Sequence, residues 1–235
     1  STDTTWTKAN SPYKISPSGV QVAYGATLTI EPGVIVEGFS SLKIFGTLNA
    51  IGLPASKIEF NHVYMSPGSN KLSEPYLINL EHVIINDGGF LSPGGASHYG
   101  KIYLRDSVIK DLSQPIYLWY PVGDCYIERN IFIRSREISV GLHDPVKVYI
   151  TNNVFYQNTF AAIINWAAYG TSGVVVRLNS FMNTAAIAVG YQSDTGNLSA
   201  TNNYWGTTDI PTIESMISDK NDSLSYPGYI DYLPI

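Results

Sequence analysis

Four stretches of this 235-residue chain carry the side chains with the most chemistry to offer: "IYLWYPVGD" (116–124), "ISVGLHDP" (138–145), "IINWAAYGTSG" (163–173) and "IAVGYQSDTGN" (187–197). Aromatic rings cover the apolar face of a pyranose, while carboxylate and imidazole bond its hydroxyls. On that chemistry Tyr117, Trp119, Tyr120, His143, Asp144, Trp166, Tyr169 and Tyr191 are candidate ligand-binding residues. The same rings also serve simply to cover the side of a protein. Candidate catalytic groups are Asp124, His143, Asp144 and Asp194. A glycoside hydrolase needs two carboxyls about 5–9.5 Å apart around the scissile bond. Asp124 and Asp144 meet that requirement if they stand on neighbouring repeats, with His143 as an acid. No ligand set for a metal is recognisable, and a calcium site has no clear motif behind it.

These residues act together only if a repeating element lines them up. Such an element is present: "CYIERNIF" (125–132), "VYITNNVF" (148–155), "VVVRLNSF" (174–181) and "LSATNNYW" (198–205) align without a gap, and "IYLRDSVI" (102–109) and "INLEHVII" (78–85) are weaker copies. "KIEFNHVY" (57–64) reads as a shorter relative, which places Ile58 in the same column as Ile78 and Ile102. Spacings near 23 residues are one turn of a solenoid. In the N-terminal part the pairs Val20/Val22, Leu28/Ile30 and Val34/Val36 recur as Leu42/Ile44, Leu48/Ala50 and Ile58/Phe60, so each turn holds three short strands. Within each pair the middle residue is mostly polar, the period of a strand with one wet face. Gly and Pro mark corners at Gly25, Pro32-Gly33, Gly46 and Gly52-Pro54. The prediction is an all-β, single-stranded parallel β-helix of eight to nine coils. Its four site loops then lie along one side over roughly 15 Å, at one coil spacing each.

Composition agrees. Seventeen Tyr, twenty Gly and 44% hydrophobic residues favour strands and turns around a sizeable core. Only 14% of residues are charged and the net charge is −5, so no basic face exists to neutralise phosphates and nucleic acid is not an expected partner. The lone Cys125 excludes an internal disulfide and a multi-cysteine zinc site. No apolar run of membrane-spanning length occurs, so membrane insertion is not expected either.

Both ends of the chain resemble a known class. "SPYKISPSGVQVAYGATLTIEPGVIVEGFSSLKIFGTLNAIGLPASKIEF" (11–60) resembles the opening coils of right-handed parallel β-helix proteins of the pectate-lyase-like superfamily, and "NNYWGTTDIPTIESMISDKNDSLSYPGYIDYLPI" (202–235) resembles the terminal coil and cap of bacterial secreted or surface-exposed members. The resemblance implies the right-handed fold, a bacterial repeat module at the cell surface or outside the cell, and a place within a larger multidomain protein. It implies no single activity, because the fold hosts lyases, hydrolases, epimerases, adhesins and binding modules. Lyases of the class need a calcium-holding acidic cluster and an Arg or Lys base; Arg134, Arg136 and Lys147 are near, without a dense Asp cluster. "HDP" (143–145) matches the Asp-Pro-His element of uronate epimerases only in reversed order.

Stacking the copies turns positions into columns. Asn130, Asn153, Asn179 and Asn203 are expected to form a hydrogen-bonded asparagine ladder at one inner corner, with Asn202 pointing out beside Asn203. Phe132, Phe155, Phe181 and Trp205 are expected to stack in the core. Outside, Tyr103, Tyr126 and Tyr149 form one column, and Arg105/Glu128 an ion pair in the next. The domain is single, with residues 1–19 as lead-in and cap anchored by Trp6 and Tyr13, coils over 20–208, and a C-terminal cap over 209–235. That cap holds a short helix over 211–219 and a returning strand in "GYIDYLPI". The expected function is non-catalytic binding of a polysaccharide or surface glycan, without a cofactor. The alternatives are a polysaccharide hydrolase or lyase using Asp124, His143 and Asp144, and a self-associating or ice-binding surface. Thr27, Thr29, Thr47, Thr151 and Thr201 are too scattered for a regular ice-binding array.

Overall fold

The computed structural model describes residues 2–68, 71–90, 99–142, 146–159, 161–165, 173–182, 197–226 and 228–235, together with the backbone of 187–191. His143, Asp144, Trp166, Tyr169 and Asp194 lie outside the described residues, and Tyr191 is described only in its backbone.

Short alternating strands separated by corners have one way to bury an apolar face and satisfy their backbone at once: they coil, and each turn bonds to the turns above and below. The chain forms a parallel β-helix of about seven turns, with 4% of residues helical. The first sheet runs Thr4–Trp6, Thr27–Ile30, Thr47–Ile51, Tyr76–Glu81, Gly100–Arg105, Cys125–Glu128, Val148–Thr151 and Val174–Arg177, all parallel. The second passes through Ile35–Ile44, Ile58–Pro67, Val83–Asn86, Val108–Lys110, Ile131–Ile133, Val154–Tyr156 and Ser180–Met182. Its two ten-residue strands bend round a corner, so their second halves pair with Val20–Val22 and Gly89–Phe90. The third sheet consists of Ile116–Trp119, Ile138–Gly141, Ala161–Asn165, Ile187–Tyr191 and Ile217–Ser218.

The turn count is lower than eight to nine because the end copies are incomplete. Residues near the N-terminus supply Thr4–Trp6 to the first sheet and Tyr13–Lys14 to the second, with Trp6 and Tyr13 stacked at 4.8 Å against the core. At the other end, among the described residues, Leu198–Ser199 pairs with the returning strand Ile230–Asp231 alone. A second correction concerns Ile58. It lies in the second sheet against Val83, and the first-sheet column runs Leu28, Leu48, Ile78, Ile102 and Cys125. Strands on different faces share the same alternation, so the pattern alone does not say which face a copy belongs to. The helix is Ile210–Glu214, capped by Asp209 Oδ2 accepting from the Thr212 N–H at 3.0 Å, and it is shorter than 211–219 because Ile217–Ser218 joins the third sheet.

The corner between the first and second sheets explains the Asn doublets. One residue there adopts a left-handed conformation, at His82, Asp106, Arg129, Asn152, Leu178 and Asn202, with φ between 48° and 59°. The bend turns the next residue inward. Asn130 Nδ2 donates to Asn153 Oδ1 at 3.0 Å, Asn153 to Asn179 at 3.1 Å and Asn179 to Asn203 at 3.0 Å, and each Oδ1 also accepts the backbone N–H of the preceding ladder asparagine. Ser107 extends the ladder, its N–H donating to Asn130 Oδ1 and its Oγ accepting from the Val83 N–H. In the core Phe132 and Phe155 stack at 4.9 Å, Phe155 and Phe181 at 5.3 Å, and Trp205 ends the stack 4.9 Å from Phe181. Each buried ring contributes on the order of 2–3 kcal/mol of hydrophobic stabilisation.

Candidate functional site

On the first third-sheet strand Ile116 and Leu118 fill the core, so Tyr117 and Trp119 point outward. They meet edge to face, with ring centroids 6.0 Å apart and planes at 85°. One coil on, Tyr117 registers with Ser139 and Trp119 with Gly141. The Trp119 Nε1–H donates to Ser139 Oγ at 3.1 Å, and a side chain at Gly141 would begin 3.5 Å from the indole. The indole is thus fixed in direction by a hydrogen bond and packs against the Gly141 backbone position at ordinary contact distance. Tyr120, in a left-handed corner at φ 49°, donates its backbone N–H to Gly141 O.

Beside this pair the Arg136 guanidinium grips the Glu137 carboxylate, Nε to Oε2 at 2.8 Å and Nη2 to Oε1 at 3.1 Å. The Glu137 side chain is only 6% exposed and that of Arg136 39%, so a part-exposed guanidinium covers a sequestered carboxylate. Glu137 raises the Arg136 pKa, chiefly through these hydrogen bonds and against the effect of burial. Ser139 and Ile164 hold outward register positions on neighbouring strands yet are buried, so this part of the third sheet is covered on both faces. The site therefore combines two oriented rings and a neutralised ion pair, with the Ser139 hydroxyl buried beneath them as the partner of the indole. It suits stacking on a ring with polar edges.

Asp124 has a structural partner of its own in the coil stack. Asp124 precedes the first-sheet strand Cys125–Glu128, and its Oδ1 accepts the backbone N–H of Lys147 at 3.0 Å across one coil. Glu137, absent from the sequence-based set, is the carboxylate held by Arg136 beside the aromatic pair. Its signal was "REISV" (136–140), an adjacent opposite-charge pair leading into an alternating strand.

The outer face of the first sheet is organised differently. Tyr126 and Tyr149 stack at 4.9 Å with planes 5° apart, and Arg105 lies over both the Tyr103 and Tyr126 rings while its Nε donates to Glu128 at 3.3 Å. These ring faces are occupied by one another and by a cation, which leaves edges for a ligand.

Among the described residues Glu81, His82 and Asp106 form a group close enough to share a metal ion. Both Asp106 oxygens accept from Arg129, at 2.8 and 2.7 Å, and this pairing, led by the hydrogen bonds, lowers the Asp106 pKa. The column His82, Asp106, Arg129 is accounted for as an ion-paired corner. A cavity of about 460 Å³ in the C-terminal cap is lined by Glu214, Asp219, Asp222 and Tyr232. Asp219 is occupied structurally, its oxygens accepting the N–H groups of Asn221 and Ile230.

Comparison of the chain with protein-family models, curated proteins and solved structures gives no match.

Proposed function

We propose that the chain is a non-catalytic carbohydrate-binding module of the pectate-lyase-like β-helix class, carried by a secreted or cell-surface bacterial protein, and that it holds a neutral polysaccharide against the side bearing Tyr117, Trp119 and Tyr120. The observation that carries this reading is the fixed Tyr117–Trp119 corner: edge-to-face rings with the indole N–H tied to Ser139. Rigid aromatic surfaces contribute contact area at low conformational cost, which is how a flat sugar ring is gripped without a deep pocket. Charge supports a neutral ligand. The Arg136 cation is already matched by Glu137, and the chain as a whole carries −5. Asp124 Oδ1 accepts the Lys147 N–H and both Glu137 oxygens accept from Arg136, so each carboxylate already serves a structural partner.

Retention on gels containing neutral polysaccharides tests the reading, with release of reducing ends and of unsaturated products followed on the same polymers. Retardation without product supports the module. Product formation makes the protein a hydrolase or lyase, and free migration through every neutral polymer removes the proposal.

A further inference from the structure

The tyrosine column on the first sheet has a use that stacking for stability does not exhaust. Tyr103, Tyr126 and Tyr149 are in register on three consecutive strands and half-buried, so part of each ring reaches solvent. Two of the rings are placed for bond formation. Tyr126 and Tyr149 are 4.9 Å apart and parallel within 5°, whereas Tyr103 and Tyr126 are 5.7 Å apart and inclined by 53°. Two phenoxyl radicals couple through half-filled π orbitals, which project normal to the ring planes. A parallel stack lets ortho carbons approach along the direction in which the bond forms, which an inclined and more distant pair does less well. Neighbouring strands hold the backbones of Tyr126 and Tyr149 directly opposite each other, so the two rings close on one another by rotation about their own χ1 and χ2. Arg105 adds selectivity. Its guanidinium lies 5.1 Å from the Tyr103 centroid and 5.0 Å from that of Tyr126, and it opposes removal of an electron most where it covers both members of a pair.

We propose that Tyr126 and Tyr149 form an oxidative cross-linking site, joined as dityrosine between adjacent coils by a one-electron oxidant of the peroxide-driven haem-peroxidase class. Each phenol gives one electron and one proton to the oxidant. The two radicals form one carbon–carbon bond between ortho positions, and the two ring hydrogens at those carbons leave as protons while the phenol oxygens are reprotonated. The chain loses two hydrogens in all, and one hydrogen peroxide is reduced to two waters. The bond staples residues 126 and 149, which the sheet already pairs, so it locks the coil spacing without distorting it.

The test treats the full chain, at a concentration where it is monomeric, with hydrogen peroxide and a haem peroxidase. Dityrosine fluorescence and peptide mapping are read on wild type and on the Tyr126→Phe, Tyr149→Phe and Tyr103→Phe variants, each first checked for a native circular-dichroism spectrum. The expected result is a monomer lighter by two hydrogens with a linked peptide pair containing Tyr126 and Tyr149, its yield falling to background in Tyr126→Phe and Tyr149→Phe and retained in Tyr103→Phe. Cross-linked monomer should also melt at a higher temperature than untreated monomer. Undiminished monomer dityrosine in Tyr126→Phe, dityrosine confined to covalent dimers, or none in wild type overturns the proposal.

Discussion

Replacing Asn153 by alanine removes four hydrogen bonds from a side chain that is 1% exposed. Oδ1 accepts from the Asn130 N–H at 2.9 Å and from Asn130 Nδ2 at 3.0 Å, while Nδ2 donates to Ile127 O at 2.8 Å and to Asn179 Oδ1 at 3.1 Å. Two of the four partners keep a second bond: Asn130 Nδ2 still reaches Leu104 O, and Asn179 Oδ1 still accepts the Asn153 N–H. The Asn130 N–H loses its acceptor and Ile127 O loses a donor. At about 1–3 kcal/mol for each buried group so affected, the expected loss is about 4 kcal/mol, a large share of the roughly 5–15 kcal/mol that holds a domain together. Ser107→Ala is the internal control. It strips the acceptor from the Val83 N–H at the N-terminal end of the ladder and one donor from Arg105 O, which still accepts the His82 N–H, for about 1–3 kcal/mol. Urea unfolding reads both, with the midpoint moving and the slope unchanged. Asn153→Asp adds a signed check, because its carboxylate would face Ile127 O and Asn179 Oδ1 and its folded pKa would be raised. Stability is then fullest below the unfolded value of about 3.9 and is lost as pH rises through the folded pKa. A loss under about 1 kcal/mol for Asn153→Ala, or one equal to that of Ser107→Ala, refutes the ladder arithmetic.

Three further outcomes follow from other parts of the fold. Leu178 is 54% exposed at φ 59°, so Leu178→Gly should relieve a left-handed β-carbon, with about 0.5–1 kcal/mol gained and Tm raised by about 2 °C; a lower Tm contradicts this. Burial pushes the Cys125 thiol up to about 12, so at neutral pH a disulfide reagent should label it only as fast as the protein opens, and rapid stoichiometric labelling of folded protein shows the site misjudged. Asp106 has its pKa lowered in the fold by Arg129, so that pair stabilises above the unfolded value of about 3.9 and ceases to do so as pH falls through the folded one. Arg129→Gln should therefore be less stable than wild type at pH 7 and converge with it in acid, and a gap that persists unchanged at low pH excludes this pairing as the cause.

The fold was legible because its signals are columns. Asn130, Asn153, Asn179 and Asn203 repeat at nearly constant spacing, and an inward asparagine at a corner has one efficient partner, its own copy a turn away. The doublets at 152–153 and 202–203 also follow from the corner: the first Asn tolerates the left-handed bend and the second joins the ladder. Ile58 was harder to place because alternation in "KIEF" looks the same on any face, and only strand pairing assigns it to the second sheet. The site was less legible for a related reason. Tyr117 and Trp119 could be put on the outer side from the alternation, but the partner that orients Trp119, Ser139, lies twenty residues on and carries no motif. Asp124 looked like a free acid next to aromatics, yet a corner needs an acceptor for the Lys147 N–H and takes it. Glu137 hid behind Arg136 as an ordinary surface pair, and its near-complete burial is a property of the coil stack rather than of its neighbours in sequence.

Calorimetric titration of a retained neutral polysaccharide into wild type, the Tyr117→Ala/Trp119→Ala variant and the Tyr126→Phe variant tests the central claim most directly. Loss of the two third-sheet rings should weaken binding by about 2 kcal/mol or more, roughly thirty-fold, while Tyr126→Phe binds as wild type does. Equal affinity in all three proteins, or a loss confined to Tyr126→Phe, contradicts a binding surface on the third sheet.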